Sequence, residues 1–321
     1  MFKKKNLIGK LWLKYRDYHK YKQYKWELKN YTEQEALNFF MGDERLDTQE
    51  KIVEVAKKEG LLNIIHSGNA GDVIYALPTI KKIAEVTGVP VFLYLRLNQP
   101  LPDPIFSNKP HSMGAVMIGN GTATKLITLL KTQSYLSDVR VYENQKIHID
   151  LDFFRSKTIP LTNSNIARWC GYVTGVTPEL WRPWLFVEPD TTFNDKIVLA
   201  RSERYRNSTI DYSFLKNYDN VVFLGIPAEY EDMKKHIPGL KLHDTSSFLE
   251  MAQIIAGCRF FIGNQSFPYS LAEALKCPRI LEGYYHVPHV IPEGENAHDF
   301  YFQNHLESLV KRLNQAGQPK N

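Results

Sequence analysis

The sequence contains few cysteines and no long apolar run. Cys170, Cys258 and Cys277 are far apart and form no Cys-x-x-Cys pair, so neither a disulfide framework nor a zinc site is predicted. No stretch approaches the roughly 20 apolar residues that a transmembrane helix needs. The lysine-rich start has no apolar core or cleavage site of the kind found in secretory signals. These absences favour a cytoplasmic protein with buried, reduced thiols.

Several catalytic motifs are also missing. The first glycine turn does not match G-x-G-x-x-G, and no Gly-Lys-Ser/Thr follows it. The ten histidines include no H-E-x-x-H, and Ser67 and Ser266 are not in a G-x-S-x-G elbow. The pattern argues against a dehydrogenase, a Walker-type nucleotidase and a hydrolase, and we predict no metal site and no bound cofactor.

Positive charge is concentrated at one end of the chain. Residues 1–30 carry ten Lys or Arg against two acids, a net charge of +8, whereas the whole chain has +5. The remainder therefore has a small negative charge, and no nucleic-acid partner is expected. The basic segment contains aromatic residues at largely helical spacing: Trp12, Tyr15, Tyr18, Tyr21, Tyr24 and Trp26. Two interpretations stay open, a helix on an anionic membrane surface or a solvated extension whose rings pack on the body.

Apolar β-type runs and helix-type segments alternate through the rest of the 321 residues. β-type runs lie at 61–66, 89–95, 139–142, 196–200, 220–224, 259–262 and 279–282. Helices are expected mainly at 73–86, 125–136, 166–176, 247–257, 269–275 and 304–313. We therefore predict an α/β protein with a helical extension (1–60) and two Rossmann-like halves (61–185 and 186–321) facing across a cleft. The segment 181–189, rich in Trp and Pro, is the expected connection.

The first glycine turn follows the first predicted strand. Gly68, Asn69 and Gly71 are placed where open α/β sheets bind ligands, and glycine lets a substrate approach the backbone. Asp72 is the only carboxylate in this turn. It is a candidate general base for an acceptor hydroxyl, or it caps the following helix.

The second half offers three candidate sets for a nucleotide diphosphate. The turn around 262–268 has free N–H groups at a helix start, which suit phosphate oxygens. Arginines after the first strand of this half could neutralise a leaving diphosphate. Glu229, following Gly225, could hold a ribose hydroxyl. The candidate donor-binding residues are Arg201, Ser202, Arg204, Arg206, Gly225, Glu229, Gly263, Asn264, Gln265 and Ser266.

In order and spacing, several segments resemble glycosyltransferase family 9, the heptosyltransferase-like enzymes. They are 71–78 (GDVIYALP), 221–229 (VVFLGIPAE), 262–266 (IGNQS), 271–275 (LAEAL) and Pro278. The resemblance implies a GT-B fold, a nucleotide-sugar co-substrate bound mainly by the second half, and a saccharide acceptor bound by the first. It also implies metal-independent transfer with inversion, in cell-envelope polysaccharide or lipopolysaccharide synthesis. A lipid-linked acceptor and a location at the inner face of the membrane are suggested only by the basic, aromatic segment 1–30.

The family motifs assign roles to three sites. The resemblance implies that Asp72 is the base, that Glu229 contacts the donor nucleoside, and that the turn at 265–267 holds the donor phosphates. That turn departs from the family pattern of Asp, Ser or Thr, then Gly, with a His three residues later. Here the positions read Gln265, Ser266, Phe267 and Ser270. A nucleotide-sugar epimerase of the same architecture, or a catalytically silent nucleotide- or glycan-binding module, therefore stays an alternative.

Overall fold

The computed structural model describes residues 2–40, 45–100, 116–155, 159, 161 and 164–316, with the backbone alone for 33–40. The chain starts with three helices: α1 (Leu7–Arg16), α2 (Tyr18–Phe40) and α3 (Gln49–Glu59). Thr48 caps α3, and Gly60 ends it in the left-handed conformation that glycine adopts without strain. α3 packs against the first helix of the α/β body through buried Ile52 and Ala56. None of the described helices combines the length and apolarity that crossing a membrane requires.

The first sheet contains four parallel strands in the order β3-β2-β1-β4. The strands are β1 (Leu62–His66), β2 (Val91–Leu95), β3 (Asp138–Val141) and β4 (Ile149–Asp150). The helices of this half are α4 (Ala70–Thr87), α5 (Asn120–Leu130) and α6 (Trp169–Thr174). Parallel strands need crossover connections, which explains the alternation in the sequence. The proline-rich segment 99–110, for which the sequence predicts a loop, lies mostly outside the described residues.

The second sheet contains six parallel strands in the order β10-β9-β8-β5-β6-β7. They are β5 (Ile197–Ala200), β6 (Val221–Phe223), β7 (Lys241–Leu242), β8 (Phe260–Asn264), β9 (Arg279–Glu282) and β10 (Ala297–Phe300). The helices are α7 (Pro227–His236), α8 (Phe248–Gly257), α9 (Phe267–Leu275) and α10 (Gln303–Ala316). The predicted α/β class is confirmed, while β4, β7 and β10 were not predicted.

Two predicted elements differ from the structure in a way that matters for the site. The expected helix at 166–176 is a 3-10 turn (Ile166–Arg168) followed by the short helix α6. β8 continues to Asn264, so Gly263 lies inside the strand. A Cβ at Gly263 would stand 2.7 Å from the Ala200 carbonyl oxygen of the neighbouring strand. The glycine therefore permits close strand packing.

The connecting segment joins the two halves through Trp184. Pro78 lies inside α4 and has no N–H, which leaves the Ile74 carbonyl without its usual helical partner. The buried Trp184 indole donates to that carbonyl at 3.0 Å. The Trp184 backbone N–H donates to Ala274 of α9, also at 3.0 Å. The Trp184 indole thus replaces a missing hydrogen bond in α4 of the first half, while the Trp184 backbone is bound to α9 of the second half.

Apolar packing continues from one half into the other. Helix α4 packs against α9 and α5 against α8, and one hydrophobic cluster includes buried residues of both halves. Val73 and Leu126 belong to this cluster on the first side, Ile255 and Tyr269 on the second. The boundaries at 185/186 and an open cleft between the halves stay predictions.

Candidate functional site

Asp72 lies in the first turn of α4, at the carboxyl end of β1. Its Oδ2 accepts the Asn69 backbone N–H at 3.2 Å and contacts Arg155 Nη2 at 3.3 Å. Both contacts use Oδ2 and neither uses Oδ1. The side chain is 26% exposed. Asp72 therefore does act at the helix start, as one sequence interpretation held, and its Oδ1 takes part in neither of these two contacts.

Arg155 was not recognised from the sequence, because it is 83 residues from Asp72. It contacts both Asp72 and Asp152, and Asp152 in turn accepts the Ser67 backbone N–H at 3.0 Å. Burial alone would raise the pKa of Asp152, but His66, Arg155 and the Ser67 hydrogen bonds outweigh it and lower that pKa. Two carboxylates thus hold one guanidinium beside the turn.

His66 ends β1 and is fully buried. Its Nδ1 accepts the Gly68 backbone N–H at 2.9 Å, so the ring proton of a neutral imidazole lies on Nε2. Burial lowers the pKa of His66 to about 4. Nε2 is buried and has no hydrogen-bond partner in the described part of the chain. His66 therefore shapes the turn as a neutral ring.

The backbone at position 68 is too crowded for a side chain. A Cβ at this position would stand 2.4 Å from Arg155 Nη2 and 2.7 Å from Asp72 Cβ. It would also stand 2.5 Å from His66 Cε1. Real side chains do not approach this closely, so any other residue would force one or more of Arg155, His66 and Asp72 to shift. The glycine predicted for substrate access is thus also needed for the internal geometry.

The second predicted turn lies opposite the first. A Cβ built on Gly71 would stand 3.8 Å from Ser270 Oγ and 3.9 Å from the Phe267 Cα. The starts of α4 and α9 therefore meet at the contact between the halves. The Ser266 hydroxyl donates to the Asn264 carbonyl at 3.1 Å and does not cap α9.

Gln265 and Asn264 are turned inward. Gln265 Nε2 donates to the Val287 carbonyl at 3.0 Å and lies 3.3 Å from His289 Nδ1. Its Oε1 is buried with no hydrogen-bond partner within the described ranges. Asn264 accepts the Ser202 N–H at 3.0 Å and donates to the Ser202 carbonyl at 2.9 Å, which holds the loop after β5. This explains why a polar residue ends β8.

Arg201 and Arg206, two of the three arginines predicted as diphosphate ligands, are bound to charged and backbone groups of the protein. Arg201 is buried and binds Glu282 through Nε at 2.7 Å and Nη2 at 2.8 Å. Arg206 donates to the Ser202 and Arg201 carbonyls and pairs with Asp232. Both side chains stabilise the loop, and their contact with a donor stays untested.

Arg204 is engaged differently. One guanidinium nitrogen, Nη2, donates to the Tyr205 hydroxyl at 2.8 Å. Its Nε is buried and has no hydrogen-bond partner among the described residues. Of the three candidates, Arg204 keeps the most hydrogen-bonding capacity for an anionic ligand.

Glu229 and Gly225 lie together beyond β6. A Cβ on Gly225 would stand 3.1 Å from Glu229 Oε2 and 2.7 Å from the Phe223 ring. Burial raises the pKa of Glu229. The structure therefore places the acid close to the strand end, as predicted, while its contact with a ribose is untested.

Aromatic rings of the second half complete the site. His289 is buried between Trp169, with ring centroids 5.7 Å apart, and Tyr205, at 5.9 Å. Burial lowers the pKa of His289 to about 4, partly opposed by the negative charge of Asp72. Burial raises the pKa of Tyr205, and Asp72 contributes to the increase although Arg204 opposes it. Tyr205 adopts φ 56°, an uncommon conformation for a residue with a side chain.

A pocket in the second half has a volume of about 340 Å³ and is lined by Arg201, Tyr212, Met233 and His236, among others. Across the described ranges, no group of three or more His, Cys, Asp or Glu side chains could hold a metal ion. We call the group of Asp72, Arg155, Arg204, Tyr205 and His289 the polar centre of the candidate site.

Comparison with solved structures identifies the architecture. The Escherichia coli heptosyltransferase WaaC, solved with ADP, matches with a TM-score of 0.53 at 11% identity, covering 79% of this chain and 99% of that one. The E. coli ADP-heptose lipopolysaccharide heptosyltransferase II matches with 0.51 at 11% identity, covering 79% and 98%. The chain shares the fold of these heptosyltransferases.

The dodecameric iron-containing heptosyltransferase TibC, in complex with ADP-D-β-D-heptose, has a TM-score of 0.50 at 11% identity, covering 81% of this chain and 77% of that one. No protein-family model matches the chain, and no curated protein matches it by sequence. The likeness at this identity concerns the fold, so activity is argued from the site.

Proposed function

We propose that the protein is a glycosyltransferase that moves a sugar from a nucleotide-sugar donor to a saccharide or lipid-linked acceptor. The observation that carries this proposal is the position of Asp72. Its Oδ1 is outside both contacts of the carboxylate, at the strand end where the start of α4 faces the start of α9. Ligands of α/β sheets bind at such carboxyl ends.

The proposed reaction is a single displacement. Asp72 Oδ1 takes the proton of an acceptor hydroxyl, whose oxygen forms a bond to the anomeric carbon of the donor. The bond between that carbon and the diphosphate oxygen breaks, and the nucleoside diphosphate leaves with the electron pair. Attack from the opposite face inverts the anomeric centre. Transfer without a metal is part of the proposal, and activity unchanged by EDTA is its test.

The leaving diphosphate needs positive charge and N–H donors. The proposed donors are the Arg204 guanidinium, whose buried Nε has no hydrogen-bond partner among the described residues, and the backbone N–H groups at the start of α9. Because solved relatives in fold carry ADP or ADP-heptose, we propose an ADP-sugar as the first donor to test. A cytoplasmic location at the inner face of the membrane, in cell-envelope polysaccharide synthesis, belongs to the same proposal.

The test is Asp72→Asn, which keeps the shape of the side chain but removes its basicity. We expect turnover of an ADP-sugar with an acceptor to fall by about 10²- to 10⁴-fold. Nucleotide affinity, measured by calorimetry, should change by less than about threefold, because the carboxylate does not face the nucleoside in this mechanism.

Asp190→Asn is the matched control, since that partly exposed aspartate also accepts a backbone N–H, from Thr192 at 3.0 Å, at the start of the 3-10 turn Thr191–Phe193. It should retain full turnover. Unchanged turnover in Asp72→Asn would refute the assignment. Conversion of the donor sugar without any acceptor would instead identify an epimerase.

A catalytically silent binding module is the second candidate. It is favoured by the inward orientation of Gln265 and by the internal partners of Arg201 and Arg206. Such a module would bind nucleotide sugars and raise its melting temperature without turning over any acceptor.

A further inference from the structure

The first helix exposes an apolar face. Leu7, Ile8, Leu11, Trp12 and Tyr15 are 72%, 77%, 59%, 56% and 95% exposed. Their spacing of i, i+1, i+4, i+5 and i+8 places them on one side of α1. Half of a ten-residue helix is therefore apolar or aromatic and turned to solvent.

The opposite side of α1 packs on α2. Gly9, Lys10 and Leu13 are only partly exposed, on the side away from the apolar face. Asp17 separates the two helices, and the buried Tyr24 of α2 accepts the Lys5 backbone N–H at 2.8 Å. The hairpin thus fixes the orientation of α1 and leaves its apolar face outward.

Basic residues surround this face. The segment 1–30 has a net charge of +8. Arg16 lies over the Trp12 ring at 4.9 Å from its centroid, and Lys14 over the Tyr21 ring at 6.0 Å. Aromatic rings beside Lys and Arg are suited to the headgroup region, where the rings sit among acyl chains and the cations meet lipid phosphates.

We propose that α1 docks on an anionic lipid bilayer, with Leu7, Ile8, Leu11, Trp12 and Tyr15 inserted at the boundary between headgroups and acyl chains. Charge complementarity selects this occupant, because a segment of net charge +8 repels a second copy of itself. Binding of such a helix to a bilayer needs burial of apolar area in addition to electrostatic attraction, and the exposed face of α1 supplies that area. The proposal holds whether or not the site transfers sugar.

The test is sedimentation of the full chain with phosphatidylglycerol–phosphatidylcholine vesicles, compared with pure phosphatidylcholine vesicles. Leu11→Gln/Trp12→Gln removes apolar surface while keeping helix-compatible residues. We expect this variant to bind anionic vesicles about tenfold more weakly than the wild type. The control is Trp181→Gln, because Trp181 is as exposed as Trp12, 56% in both cases, and lies outside the hairpin. It should bind like the wild type.

A second readout excludes misfolding as the cause. Brominated lipid should quench tryptophan fluorescence in the wild type and in Trp181→Phe, and much less in Trp12→Phe. Equal vesicle binding by Leu11→Gln/Trp12→Gln and the wild type would overturn the proposal, as would binding that does not depend on anionic lipid. A dimer that this double substitution dissociates, without vesicle binding by the wild type, would instead assign the face to a second copy.

Discussion

Two arginine–carboxylate pairs stand at strand ends in the two halves, and their environments differ. Arg201 and Glu282 are 9% and 0% exposed and form two contacts of 2.7 and 2.8 Å. Arg155 and Asp72 are 21% and 26% exposed and share one contact of 3.3 Å. The first pair is buried, and two hydrogen bonds join its guanidinium to its carboxylate. The second is open, and its carboxylate keeps one oxygen outside the pair.

The difference shows how one pair of residue types serves two purposes. A buried pair is strongly destabilised when one partner is removed, because an uncompensated charge remains. A partly exposed pair contributes little to stability because water screens it. The Arg201–Glu282 pair therefore holds the loop after β5. The Arg155–Asp72 pair orients Asp72, and breaking it should lower the free energy of unfolding only slightly.

The largest effect should come from Arg201→Met. Within the described part of the chain, it leaves Glu282 buried with the Tyr212 hydroxyl and the Asn207 N–H as its remaining partners. We expect the free energy of unfolding, from urea titration, to fall by about 3–5 kcal/mol. Arg140→Met, which removes an exposed pair with Asp138, is the control and should cost under about 1 kcal/mol. Equal losses would abolish the distinction between the pairs.

Lowering the pH should reduce the stability of the folded protein in both halves, because each half contains one buried neutral histidine near the site. Burial lowers the pKa of His66 and of His289 to about 4, from 6.5. The unfolded chain therefore binds protons below pH 6.5 that the folded chain takes up only near pH 4. Stability should be complete above pH 6.5 and fall between 6.5 and 4, by roughly 2–4 kcal/mol for each histidine.

His289→Gln should remove its share of this pH dependence. The measurement is urea unfolding of wild type and variant at pH 7.5, 6, 5 and 4.5. Parallel curves for the two proteins across this range would contradict the buried neutral state.

An intermediate effect is expected from Gly68→Ala. The added methyl would stand 2.4 Å from Arg155 Nη2, so the guanidinium must move away from Asp72. We expect a loss of about 1–3 kcal/mol in stability and a fall in turnover. Gly121→Ala is the control, because a Cβ there meets nothing within 4 Å. A neutral Gly68→Ala would mean that the turn adapts freely.

The smallest stability effect should come from Arg155→Met. Arg155→Met removes the contacts with both Asp72 and Asp152. Because Arg155 and Asp72 are partly exposed and Asp152 keeps the Ser67 N–H as a donor, the loss in unfolding free energy should stay near 1 kcal/mol. Turnover should fall more than stability, since Asp72 loses its orienting contact. A loss as large as that of Arg201→Met would show that the two pairs serve the same structural role.

The sequence predicted the long apolar elements well and the short polar ones poorly. β1 and β9 match the predicted runs closely because each contains adjacent buried aliphatic residues, Ile64 and Ile65 in β1 and Ile280 and Leu281 in β9. β7 has two residues, and β10 contains His298 and Asp299. Such strands exist because a neighbouring strand supplies their hydrogen bonds, which no local pattern records.

The site was predicted only where its residues adjoin a turn. Asp72 was identified from its strand–glycine turn–helix context. Arg155 and His289 were not, because distant segments bring them to Asp72. Arg201 was expected to bind an anion, and only the fold shows its partner, 81 residues away. The one available signal was Glu282, an acid that ends an apolar strand and needs a buried cation.

The hydrogen bond that links the Pro78 helix to Trp184 should couple these two positions during evolution. The proline takes a hydrogen bond from the Ile74 carbonyl, and the indole 110 residues away replaces it. A chain with any other residue at position 78 would satisfy that carbonyl within α4, and the indole would then lose its acceptor. The two positions should therefore change together in descendants of this protein.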